Sequence, residues 1–220
     1  MTLPTRSFLP VLGLATLLAA CGAEPDPPEV ERVTSEAVER YRTDVMLRMQ
    51  RIDGEIAALE TTAATADSAT AAAYGAALSP LLDDRRTLQA RLDSLGGETP
   101  EAFAATTSAL DRDFHDLRRR VGRAALERSL TPGQLRDAAQ ARLDALGEEI
   151  ARAATDSTEA VPALDAQRSA VANEIARLGD LSSEAFPAAR ARLVEMFDAL
   201  LDRLHAVHLE TSAEDPEVIG

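Results

Sequence analysis

The sequence has no lysine and no tryptophan, a single cysteine, and aromatic residues at only 3% of the chain. A lone cysteine excludes an intramolecular disulfide, a dithiol redox pair and a thiolate metal cluster. Few aromatics, together with glycine and proline clusters that fall between apolar-periodic stretches, favour helix over sheet. Phosphate-binding and dinucleotide-binding glycine patterns are missing, and no histidine stands in a loop beside a serine- or cysteine-bearing turn, so nucleophilic catalysis lacks its parts. The expectation is a protein that is not an enzyme and needs no cofactor. Positive charge is also in deficit: 23 basic against 37 acidic residues give a formal net charge of −14. Such a chain repels phosphate backbones, which excludes nucleic acid as a partner.

The chain does contain an export leader. Residues 1–20 read as a signal peptide, with Arg6 in a short start, an apolar run from Phe8 to Ala20, and small residues before a cut site. The apolar run spans ~20 Å as a helix, short of the ~30 Å hydrocarbon core, so a permanent membrane span is disfavoured. Leu18-Ala19-Ala20-Cys21 resembles the lipobox of bacterial lipoproteins. The resemblance implies cleavage before Cys21, diacylglyceryl transfer to its thiol and acylation of the new amino terminus. Several acyl chains hold a protein stably in a bilayer, at ~0.8 kcal/mol per buried methylene. By the same resemblance, in which an Asp after the cysteine retains enterobacterial lipoproteins in the inner membrane, Gly22 allows outer-membrane delivery, to the periplasmic face. Residues 21–34 then form a lipidated, acidic, proline-rich tether standing the body ~30–40 Å off the membrane. Residues 212–220 are an acidic tail, expected to fray from about Thr211.

Between these ends lie six amphipathic stretches. Val38, Tyr41, Val45, Met49, Ile52, Ile56 and Leu59 recur at steps of three and four, which predicts a helix over 35–65. A second covers roughly 69–95 and stops at Leu95-Gly96-Gly97, with Pro80 either kinking it or marking its start. Thr99-Pro100-Glu101 and Thr131-Pro132-Gly133-Gln134 open the third and fourth. The fifth ends at Gly179, and the sixth carries Phe186, Leu193, Phe197, Leu200 and Leu204.

These six are three helices written twice. A shift of 83 residues lays Glu101-Ala102-Phe103 on Glu184-Ala185-Phe186, and Leu110, Phe114, Leu117 and Arg120 on Leu193, Phe197, Leu200 and Arg203. Helices rich in Ala, Leu and Arg match by chance, so the rare residues decide: the four phenylalanines beyond the leader all fall in register. Upstream, Glu55-Ile56-Ala57 pairs with Glu149-Ile150-Ala151 at a shift of 94, which puts an insertion near 58–80 of the first copy. Asp67-Ser68 and Asp156-Ser157 mark the same turn. The expectation is an all-α protein of two tandem three-helix antiparallel, coiled-coil-like hairpins, repeat 1 over 35–129 and repeat 2 over 130–211. Phe103, Phe114, Phe186 and Phe197 are its expected core residues.

Two sets of polar residues invite a closer reading. Asp202, His205 and His208 share a helix face and form a ligand-like set, but the first copy places Arg119, Gly122 and Ala125 there; the expectation is a solvated face and no metal site. Arg85 and Arg168 align at positions where the stripe calls for an apolar residue. They either snorkel to water over an apolar stem or pair with Glu55 and Glu149. Leu130-Thr131-Pro132-Gly133-Gln134 is similar to the Leu-Thr-x-x-Gln motif of small helical periplasmic stress chaperones and metal-stress sensors, and is physically a capping box. The functional expectation is a membrane-anchored, non-enzymatic helical interaction or spacer module, attached to the bilayer through acylated Cys21 and holding another envelope protein. The alternative is a client-binding chaperone or metal-stress protein.

Overall fold

The computed structural model describes residues 33–156 and 161–214, and every long element among them is an α-helix. The leader, Cys21, nearly all of the tether and the last residues of the tail lie outside the described residues. In chain order the helices are α1 (Ser35–Thr65), α2 (Ser68–Asp93), α3 (Pro100–Glu127), α4 (Pro132–Asp156), α5 (Val161–Arg177) and α6 (Phe186–Glu214), with a 3-10 turn at Leu178–Asp180.

Helix ends follow local chemistry. Thr34, Asp67 and Thr99 each accept backbone N–H bonds from the first turn of α1, α2 and α3, which satisfies amides that have no intrahelical partner. At α4 the capping box is complete. Gln134 N donates to Thr131 Oγ1 at 3.2 Å, while Leu130 N and Thr131 N donate to Gln134 Oε1 at 2.9 and 3.3 Å. The Leu-Thr-x-x-Gln run is therefore accounted for as a helix start. Gly96 and Gly97 follow α2 with φ of 139° and 76°, a backbone that side chains resist. Pro80 falls inside α2 and does not mark its start, because the Asp67 cap opens the helix upstream. The expected fraying from Thr211 is corrected in part: α6 continues to Glu214.

The copies have separate apolar cores, except that Leu126 of α3 packs into the second. Val45, Met49, Ile52, Leu81, Leu88, Leu110, Phe114 and Leu117 belong to one apolar cluster from α1 to α3. Leu135, Leu146, Leu164, Val171, Leu193, Phe197 and Leu200 belong to a second, from α4 to α6. Short connections make neighbours antiparallel, and cross-helix pairs agree: Arg91 of α2 meets Asp113 of α3, and Arg120 of α3 meets Asp84 back along α2. The insertion in the first copy is taken up as helix length, since α1 and α2 have 31 and 26 residues against 25 and 17 for α4 and α5.

Three of the four phenylalanines are interior, and one is not. Phe103, Phe114 and Phe197 are buried, whereas Phe186 is only partly buried at the margin of the second core. Phe103 sits a turn into α3 and meets Tyr41 edge-on at 6.1 Å. Phe186 is the first residue of α6, and the position matching Tyr41 at the 94 shift is Leu135, so it lacks both depth and an aromatic partner. Arg190 covers its ring instead.

Candidate functional site: a histidine-lined cleft on the seam between the two copies

The described helices α1 to α6 belong to one compact unit with two apolar cores; Leu126 of α3 joins the second core, and a set of ion pairs runs between the copies. Arg118 of α3 donates through both Nη atoms to Glu149 of α4 at 2.5 and 2.6 Å, and Arg51 of α1 joins the same carboxylate at 2.9 Å. Burial pushes the Glu149 carboxyl up, but the attraction and hydrogen bonds of Arg118, with Arg51 behind them, outweigh it and hold the group below the ordinary glutamate value. Arg142 of α4 reaches back to Glu55 of α1 at 3.1 Å. Its guanidinium is buried, which disfavours the charge, while Glu55 favours it. Space for it comes from Gly122 of α3: a Cβ there would run into the Arg142 guanidinium.

Equivalent positions of the two copies meet across this seam in reciprocal fashion. At the 83 shift His115 corresponds to Asp198 and Arg119 to Asp202. His115 Nε2 lies 2.8 Å from Asp202 Oδ1, and Arg119 Nη2 lies 3.4 Å from Asp198 Oδ2. Each pair is the other with the copies exchanged, the signature of an approximate two-fold relation between α3 and α6. Asp198 also accepts from Arg123 Nε at 2.7 Å. The repeat is matched by equivalent ring contacts within each copy. Arg48 stands over the Phe114 ring at 5.7 Å and Arg142 over Phe197 at 5.6 Å, and the two arginines correspond at the 94 shift as the two phenylalanines do at 83.

The sequence-predicted polar residues are redistributed. Glu55 and Glu149 do not pair with Arg85 and Arg168. Arg85 Nε and Nη2 donate to Asp53 at 2.9 and 2.8 Å. Positions 53 and 55 point about 200° apart around a helix, so only Asp53 can face α2. Asp53 corresponds to Gly147 in the second copy, and there the Arg168 guanidinium lies close to where a Gly147 Cβ would be, at 3.4 Å.

The histidines depart from expectation most. All three in the chain, His115, His205 and His208, line one cleft of about 330 Å³ bounded by α1, α3, α4 and α6. His205 and His208 are half-buried, so the expected solvated face is corrected; Asp202 alone of that set is exposed. The His115 and His205 rings stack at 4.4 Å between centroids and 16° between planes. Burial first, then the facing His115, pushes the His205 imidazole below its ordinary value, with Asp111 pulling the other way. Arg48, Arg51, Arg118 and Arg152 line the same cleft, against the carboxylates Asp44, Asp111 and Glu149.

As for metal, no group of three or more His, Cys, Asp or Glu side chains among the described residues converges on a point that an ion could occupy. Asp202 is engaged by His115 and Arg119, away from a shared site with His208. No described helix is long and apolar enough to cross a membrane.

No protein-family model matches the chain, and neither a curated protein nor a solved structure matches it. Fold and site together define an all-α protein: two three-helix units, pseudo-symmetric about a charged seam, with a histidine- and arginine-lined cleft at that seam.

Proposed function

We propose that the chain is a lipid-anchored, non-enzymatic helical module of the cell envelope that holds or spaces a partner protein. The observation that carries this reading is Leu18-Ala19-Ala20-Cys21 directly behind an apolar run, with that cysteine the only one in the chain. The body suits the role. Its apolar stripes are spent inside two cores, and the exposed large apolar side chains among the described residues are Met46, Leu47, Leu130 and Leu209, on three different segments. A client-binding chaperone calls for a broad apolar surface instead. The cleft lining carries imidazoles as bases but no hydroxyl or thiol nucleophile.

Anchoring is tested by Cys21→Ser, which should release the body from the membrane or stall it uncleaved. Normal processing with retention through a carbonate wash contradicts the reading.

A metal-stress role is the second reading, favoured by the meeting of three histidines. The stacked rings and four neighbouring guanidiniums disfavour a cation there. Calorimetry with Zn²⁺ or Ni²⁺ is expected to find no tight site; micromolar binding lost on replacing His205 and His208 would support the metal role.

A further inference from the structure

We propose that the cleft at the seam binds a small soluble polyanion, a molecule with two or more carboxylate or phosphate groups, held by the arginines of α1, α3 and α4 with the histidines of α3 and α6 closing on it. The inference is independent of how the chain is anchored.

The carrying observation is concentration. In a chain of net charge −14, all three histidines and four arginines gather on one cleft with only three carboxylates. Those carboxylates are already engaged: Glu149 by Arg118 and Arg51, Asp111 and Asp44 by Arg48. Guanidiniums offer five donors each, so donors remain in excess after this pairing.

Size and sign select the ligand. About 330 Å³ lies at the small end of ligand sites. Ile52, Phe114, Leu201 and Leu204 supply an apolar floor, and that floor lowers the local dielectric and strengthens charge recognition. A cation meets four guanidiniums. An anionic bilayer surface meets the repulsion of the whole protein, which favours a free molecule over a lipid headgroup.

Protonation is built into this site. His205 shares the cleft with His115, Asp111 and Arg118 from α3, Asp44, Arg48 and Arg51 from α1, Glu149 and Arg152 from α4, and His208 on its own helix. Burial and the facing His115 hold the His205 imidazole below its ordinary value; an anion placed beside it favours the charged ring, so binding takes up a proton.

The test is calorimetry of the full chain with pyrophosphate and with citrate, at about pH 5.5 and about pH 8, either side of the imidazole range. The expected result is binding of at least one probe, about tenfold tighter at the lower pH, with a heat that depends on buffer ionisation as proton uptake requires. Arg51→Gln and His205→Asn should each weaken it about tenfold, while Arg136→Gln, outside the cleft, leaves it unchanged. Should the cleft variants not fold, proton NMR of the wild-type imidazoles decides: the His205 titration should move upward when the probe is added. Binding of neither probe at millimolar concentration, binding indifferent to both cleft variants, or an unmoved His205 titration overturns the proposal. A site for Zn²⁺ in place of the anions does so too.

Discussion

Inside each copy the helices meet mainly through leucine, isoleucine and phenylalanine; between the copies, where Leu126 of α3 joins the second core, many of the contacts are made by arginine, glutamate, aspartate and histidine. The two kinds of contact have different physics. Apolar burial is non-directional and depends little on pH. A half-buried ionic seam costs desolvation, contributes little net stability, and is strongly destabilising only when one partner is removed. The interior therefore sets whether each three-helix unit folds, and the seam sets how the two units are registered. The seam also leaves a cleft where polar groups face open space together.

The largest expected effect lies in the cores. Phe197→Ala and Phe114→Ala should each cost about 3–5 kcal/mol, the cavity included, read as a lowered midpoint in chemical or thermal denaturation. Phe186→Ala, at the margin, should cost clearly less.

Next is the seam's most connected carboxylate. Glu149→Ala leaves Arg118 and Arg51 without their acceptor and should cost about 3 kcal/mol, the low end for broken buried pairs because both arginines retain some access to water. Acid should mimic it. The folded-state pKa of Glu149 is depressed, so its contribution is present above the ordinary glutamate value of ~4.3 and lost as pH falls through the lower folded value. Denaturation midpoints should then fall in that acid window, and the fall should be smaller in Glu149→Ala.

Gly122→Ala is a finer probe, because the added methyl displaces a guanidinium held by Glu55 and by the Arg118 carbonyl. About 1–3 kcal/mol is expected. Combined with Arg142→Ala the two losses should not add, since both empty the same space. Smallest is Arg112→Ala on the exposed face of α3, expected within about 0.5 kcal/mol of wild type.

The comparison also explains what was legible in the sequence. Apolar periodicity and cap residues are local signals, and they placed α1, the Thr99 and Thr131 starts and the register of the phenylalanines. Phe186 departs from the expected core because register between copies says nothing of depth: the equivalent residue opens α6 but lies inside α3. The seam was invisible to periodicity, which reports only that a face is polar. Its partners are decided by where the second copy lies, as with Glu55, which bypasses Arg85 for Arg142 across the seam. One signal was present. His115 against Asp198 and Arg119 against Asp202 are equivalent positions carrying basic and acidic groups, the pattern expected when two copies of one surface face each other.

The central claim, two separate cores coupled through an ionic seam, is tested most directly by scanning calorimetry of Glu149→Ala alone and combined with Phe197→Ala. The single variant should unfold in two transitions, and adding Phe197→Ala should lower one of them while the other stays in place. One transition in both proteins, shifted as a whole by Phe197→Ala, would contradict it and mean that the six helices share a single cooperative core.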